Sequence, residues 1–188
     1  MVSAIALLVA ILVAVVGVLL GLAATRPNTF RVRRATRIQA PPEKIFAFVD
    51  DLRRFVAWSP YEKKDPAMKR TFSAVAQGKG SVYAFDGNNQ IGAGRLEITD
   101  SAQPSKVTMT LDFFRPFKAH NIVEFILEPQ GDVTSVTWDM HGPVPFMAKI
   151  MHVIFNMDRM IGKDFETGLA NLKALTEKPA ADTVMSPA

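Results

Sequence analysis

The sequence predicts an α+β fold in which a curved antiparallel sheet of about seven strands wraps a long C-terminal helix, preceded by one N-terminal transmembrane helix. Three observations predict it. Val2–Ala24 is an uncharged apolar run; short alternating segments with turn-formers between them fill Thr71–His141; and Pro145–Thr176 is amphipathic with no internal proline.

The first run contains no proline, and its only weakly apolar members are Ser3, Gly17 and Gly21. As a helix it would be roughly 35 Å long, enough to cross a hydrocarbon core of about 30 Å. A cleaved signal peptide is the alternative, with Leu22-Ala23-Ala24 as a poor cleavage site. Against it, no Lys or Arg precedes the run, which exceeds the usual signal core. Arg26, Arg31, Arg33, Arg34 and Arg37 all follow the run. They read as a juxtamembrane anchor, and the positive-inside rule then places the following domain in the cytoplasm, on a single pass through the inner membrane.

The 188 residues carry a formal net charge of +4 and no cysteine, which excludes disulfides, thiolate metal sites and thiol nucleophiles. With the basic residues beside the apolar run and no aromatic-basic interleaving, nucleic-acid binding is not expected. The expected divisions are a transmembrane helix over 1–25, a linker over 26–29, one folded domain over 30–177 and a Pro/Ala/Ser-rich disordered tail over 178–188.

Within the domain, Phe30–Ala40 alternates as a strand, Pro41-Pro42 ends it, and Glu43–Phe55 carries apolar residues at helical spacing. Glu62–Arg70 is a charged loop or short helix. Six further strands are expected at 71–77, 80–85, 90–99, 106–113, 118–128 and 133–140. Short connections such as Asp86-Gly87-Asn88-Asn89 and Pro129-Gln130-Gly131 make them an antiparallel meander. The final stretch, with Met147, Ile150, Met151, Ile154, Met157, Ile161, Phe165, Leu169 and Leu172 in one stripe, reads as a single long helix against the sheet.

This order resembles the START-like helix-grip (SRPBCC) superfamily, and in particular its bacterial polyketide cyclase/dehydratase-like members. The resemblance is carried by Ile38-Gln39-Ala40-Pro41-Pro42-Glu43-Lys44-Ile45-Phe46, by Asp50-Asp51 through Trp58-Ser59-Pro60, by Val136-Thr137-Trp138, and by Gly168-Leu169-Ala170-Asn171-Leu172-Lys173. It covers Phe30 to Glu177. It implies a cavity between sheet and terminal helix that binds or transforms hydrophobic molecules, and it brings no universal catalytic residue.

The candidate cavity follows from parity. Met109, Leu111, Asn121, Val123, Phe125, Trp138 and Met140 share the inner face of the meander, and Met147, Met151 and Ile154 face them from the helix. Trp58 and Tyr83 join this ligand-binding set. Methionine and aromatic side chains suit an adaptable apolar pocket, although they equally suit a solid core. Gly92 and Gly94 leave room for a ligand or let their strand bend.

Arg34 shares a face with Val32 and Ile38, and Asp158 lies at the edge of the helix stripe. The two could form an ion pair, or Arg34 could meet a ligand carboxylate; a bulge and a solvent-directed Asp158 are the plain alternatives. Asp50-Asp51 reads as solvated charge. His120, His141 and His152 are too scattered for a metal site, so neither a metal nor another cofactor is expected. The expected function is membrane-anchored binding of a hydrophobic small molecule, such as a lipid, an isoprenoid or a polyketide-like compound. The alternatives are a cyclase- or dehydratase-type enzyme and an interaction module with a closed cavity. No catalytic residue is assigned, and the oligomeric state is not legible.

Overall fold

The computed structural model describes residues 2–154 and 156–178, with the backbone alone at Val2, Met147, His152 and Ile154. In chain order the elements are α1 (Val2–Thr25), β1 (Thr29–Ile38), α2 (Pro42–Val49), α3 (Leu52–Trp58), β2 (Lys69–Phe72), β3 (Val82–Asp86), β4 (Ala93–Ala102), β5 (Lys106–Arg115), β6 (Ala119–Gln130), β7 (Val133–Pro143), α4 (Phe146–Ile154) and α5 (Met157–Thr176). One antiparallel sheet runs in the order β1-β7-β6-β5-β4-β3-β2. The helix-grip α+β architecture expected from the sequence is therefore present. The expected tail lies almost wholly outside the described residues.

Two expected helices are each divided in two, and both breaks have a side-chain cause. Asp51 takes an extended conformation, and its carboxylate accepts the amide hydrogens of Arg53 and Arg54, starting α3 afresh. Asn156 accepts the Arg159 amide at 3.0 Å and starts α5 in the same way. The apolar stripe continues across Asn156, so periodicity alone could not show this boundary.

Strand register arranges the inner face in rows. Tyr83, Leu96, Leu111 and Asn121 are successive partners across the sheet, and Gly142, the partner of Phe30, lies against Asn121. Parallel to them run Ile98, Met109, Val123, Met140 and Val32, then Val107, Phe125, Trp138 and Arg34. Helix α5 lies over β1 and β7, whereas α2 approaches β6 and α3 approaches β3.

Where these helices meet, aromatic rings fill the interior. Trp138 stacks on Phe165 with centroids 4.1 Å apart, and Trp58, Phe55 and Phe125 meet the Trp138 cluster edge-on or tilted. A Cβ on Gly168 would fall 2.7 Å from Trp138 Cζ3, so this glycine lets α5 approach the indole. Gly92 has φ near +76°, and a Cβ on Gly94 would lie 2.4 Å from the Asp112 carbonyl oxygen. Both therefore serve the backbone, at a point where the β4–β5 register shifts.

The arginines after α1 are used by the fold. Arg31 and Arg33 both donate to Asp139, and Arg34 bridges to α5. Arg31, Arg33 and Arg34 thus have structural partners, while the side chains of Arg31 and Arg33 remain more than half exposed. The expected linker is also tied down: the Asn28 carbonyl accepts the Val144 amide at 2.7 Å, and its side-chain oxygen accepts the buried Lys149 ammonium at 2.6 Å. Helix α1 packs along α4 and is otherwise mostly exposed, with Ala23 fully covered. Ser3–Thr25 is long and apolar enough to cross a membrane.

Asp50 is not simply solvated. Its carboxylate accepts the Ser101 hydroxyl at 2.6 Å, and partial burial raises its pKa. A carboxyl whose pKa is higher folded than unfolded contributes stability at low pH, and that contribution is lost as pH rises through the folded pKa. Asp50→Asn retains an acceptor for Ser101, so its melting temperature should equal or exceed the parent's at neutral pH, and the gap should shrink on acidification. Thermal melts across the pH range check this; a gap that widens at low pH would refute it.

Candidate functional site

The alternating pattern of the strands decides which expected site residues come together. Trp58, Tyr83, Met109, Asn121, Val123, Phe125, Trp138 and Met140 are all buried on the inner side, and Leu111 is half-buried among them. Met151 departs from expectation: it is 41% exposed on α4, because the break at Asn156 frees α4 from the line of α5. The side chains of Met147 and Ile154 lie outside the described residues.

These residues do not bound one continuous hollow. The rows of Val107, Phe125 and Trp138 are closed by the aromatic cluster under α5 and α3. Toward the other end of the sheet burial falls. Along β5, Val107 and Met109 are fully buried, Leu111 and Phe113 are half-buried, and Phe114 is 53% exposed. Phe85 meets Phe113 edge-on at 5.9 Å, so this end of the inner face is aromatic. The same end of the sheet carries the start of β1, the end of β7, and through them α1 and α4.

Two polar atoms in this interior lack a hydrogen-bond partner among the described residues: Asn121 Oδ1 and Trp138 Nε1. Asn121 sits in the row of Leu111, and a Cβ on Gly142 would crowd its Oδ1 to 2.5 Å. A buried acceptor without a donor costs about 1–3 kcal/mol. A donor on a bound molecule, or a water, would relieve that cost.

Tyr83 has a partner that the sequence did not disclose. Its hydroxyl donates to Glu62 Oε1 at 2.7 Å, while Glu62 Oε2 accepts from Arg70 Nε at 2.6 Å. Burial, with the neighbouring carboxylate, raises the Tyr83 pKa, so the phenol stays neutral and is unsuited to act as a base. Glu62 lay in a segment read only as a charged loop or short helix, where no periodicity marks a residue as inward.

Arg34 and Asp158 do pair, with Nη2 to Oδ2 at 3.0 Å, and Arg34 Nε adds Glu166 at 2.9 Å. Both carboxylates are mostly exposed, so the pair bridges β1 to α5 at the rim. The guanidinium crosses the helix at Gly162, where a Cβ would lie 1.9 Å from Nη2. Beside it, Arg26, Phe30, Val32, Val153, Met157 and Asp158 line a cleft of about 490 Å³ between the start of β1 and the α4–α5 junction.

On the outer face, Glu124, Asp139 and His141 bring ligand atoms within 4.8 Å of one another. Asp139 is fully buried there and accepts from Arg31 Nε at 2.8 Å and Arg33 Nε at 2.7 Å. A cation would have to displace or adjoin two guanidinium groups, so the chemistry of this set fits an ion-pair network better than a metal. His141 has Asp139 at 3.4 Å, and His120 has Asp112 at 2.6 Å. His152 lies outside the described side chains.

An antiparallel sheet gripping a terminal helix defines a START-like helix-grip protein. Residues 29–177 match the family described as polyketide cyclase / dehydrase and lipid transport, and the chain belongs to that family. No curated protein matches it. Among solved structures it is similar to protein CV1439 from Chromobacterium violaceum, at 16% identity and a TM-score of 0.56, covering 82% of this chain and 100% of that one. The Aha1 dimer from Colwellia psychrerythraea is similar at 19% identity and 0.54, covering 79% and 96%. CalU16 from Micromonospora echinospora is similar at 17% and 0.51, covering 81% and 86%. At these identities the likeness is one of fold.

Proposed function

We propose that this chain binds a hydrophobic small molecule (a lipid, an isoprenoid or a polyketide-like compound) while α1 holds it in a bilayer as a retained anchor. The observation that carries the reading is the gradient along β5, from sealed Val107 and Met109 to the half-open Leu111 and Phe113, toward the end where α1 departs. Family membership supports a hydrophobic ligand, and the contact of α1 with α4 supports an anchor that stays with the domain.

On this reading the ligand's apolar part lies against Leu111, Phe113 and Phe85, with Met109, Val123 and Met140 as the floor. The Trp58–Phe125–Trp138–Phe165 cluster limits its depth. Asn121 Oδ1 accepts a hydrogen bond from a hydroxyl or amide on the ligand. Tyr83, neutral and engaged by Glu62, forms wall and not catalyst, which favours binding over proton transfer. The anchor places the mouth beside the hydrocarbon in which such a ligand is soluble.

The test uses the full chain, purified in detergent, stripped of lipid and titrated with a fluorescent fatty acid. Saturable binding is expected, with Leu111→Trp filling the mouth and weakening it at least severalfold at unchanged thermal stability. Binding equal in parent and Leu111→Trp would remove the mouth as the site. No saturable binding of any apolar probe, together with no lipid co-purifying by native mass spectrometry, would overturn the ligand reading itself.

A further inference from the structure

The end of β5 and the β5–β6 turn carry two of the most exposed aromatic side chains among the described residues: Phe114 at 53% and Phe117 at 69%. In water such exposure forgoes burial worth about 1.5–3 kcal/mol for a full phenylalanine side chain. Single exposed apolar residues need no explanation, but these two are not alone.

Register places the turn. Ala93 pairs with Arg115, and Leu111 leads through Asn121 in β6 toward the end of β7, where Pro143 pairs with Thr29. Thr29 follows the end of α1 by four residues, and α4 begins at Phe146, three residues after Pro143. The turn, the exit of α1 and the start of α4 thus share one end of the sheet. Phe146 is 48% exposed and Met151 41% exposed on α4, alongside α1. Arg26 and Lys118 are exposed at this end, and Arg115 pairs there with Asp86. Aromatic side chains flanked by cations, set beside a span of membrane length, match the composition of interfacial anchors.

We infer that the β5–β6 turn is a second membrane contact, in which Phe114 and Phe117 enter the headgroup–acyl boundary of the bilayer crossed by α1, with Lys118 at the phosphates. The inference rests on the anchored reading of α1 and goes beyond it: one helix fixes a point, whereas a helix and a turn fix an orientation. With the turn inserted, the half-open Leu111–Phe113 mouth faces lipid and not water. The far turn at Gly131 lies roughly 40 Å away along β6 and stays in solution.

The absence of cysteine makes the test direct. Three single-cysteine forms of the full chain, Lys118→Cys, Asp132→Cys and Val13→Cys, are labelled with an environment-sensitive fluorophore. They are placed in nanodiscs of phosphatidylcholine and phosphatidylglycerol containing lipids with spin labels at shallow or deep positions. Expected is loss of most Lys118→Cys fluorescence to the shallow quencher, loss of Val13→Cys fluorescence to the deep one, and no loss at Asp132→Cys. Adding Phe114→Asp and Phe117→Asp should return the Lys118→Cys signal to the level of Asp132→Cys.

Quenching at Val13→Cys with none at Lys118→Cys would overturn the turn contact and leave the anchor standing. Quenching at Lys118→Cys that survives both aspartates would also overturn it, since the phenylalanines would not be the inserting groups. No quenching at Val13→Cys would overturn the anchored reading and this inference with it.

Discussion

Trp138→Ala is expected to lower the stability of the folded domain by about 4 kcal/mol, within the range for emptying a large aromatic site from a core. The indole is 3% exposed and touches rings on three sides: Phe165 from α5, Trp58 and Phe55 from α3, and Phe125 from the neighbouring strand. These neighbours belong to different elements, so they cannot collapse together into the space. One gain opposes the loss, because Nε1 has no hydrogen-bond partner among the described residues and its removal relieves a buried donor. Equilibrium unfolding in urea, followed by circular dichroism on the detergent-solubilised chain, measures the difference. The vacated space would be apolar, so indole or benzene should raise the melting temperature of this variant and leave the parent unchanged. A loss below about 1 kcal/mol would mean that the surrounding rings repack, and that the closed end of the interior is softer than its stacking geometry implies.

Asp139→Ala is expected to cost about 2 kcal/mol, less than a wholly buried pair because both arginine side chains remain more than half exposed. The carboxylate itself is fully buried and holds Arg31 and Arg33, two like charges on the same face of β1. Without it the two guanidinium groups repel across the strand, and β1 loses its side-chain tie to β7. Asp139→Asn, which keeps an acceptor of the same shape but no charge, should lie between parent and alanine variant. High salt should reduce the penalty of the asparagine variant by screening the arginines. Melting curves of the three proteins at two salt concentrations check the order; equal stability of Asp139→Ala and parent would show that the arginines relax into solvent without cost.

The two positions also show what the sequence could convey. Trp138 was legible as inward because alternation fixes parity wherever one sheet face is covered, and the same rule brought Met109, Val123, Phe125 and Met140 inward. Parity cannot say whether inward residues surround a space or fill it. That depends on what α3 and α5 bring, and the contact of Trp58 and Phe165 with Trp138 joins segments far apart in the chain. Asp139 was missed for a related reason. Its partners on β1 are named by strand register, and no local pattern links β1 to β7 across a hundred intervening residues. The division between α4 and α5 was hidden because Asn156 interrupts neither the apolar stripe nor the run free of proline. Its capping role is visible only in the backbone it holds.

The clamp of Asn28 on Val144 and Lys149 has a consequence for how the protein would meet the apolar ligand proposed above. A domain on a slack tether tumbles and samples its surroundings in every direction. Here the peptide leaving α1 is stitched at once to the end of β7 and to α4, so swivelling is suppressed. If α1 lies in a bilayer, molecules reach the protein by lateral diffusion within a sheet of lipid, and their scarcity in water ceases to limit the encounter.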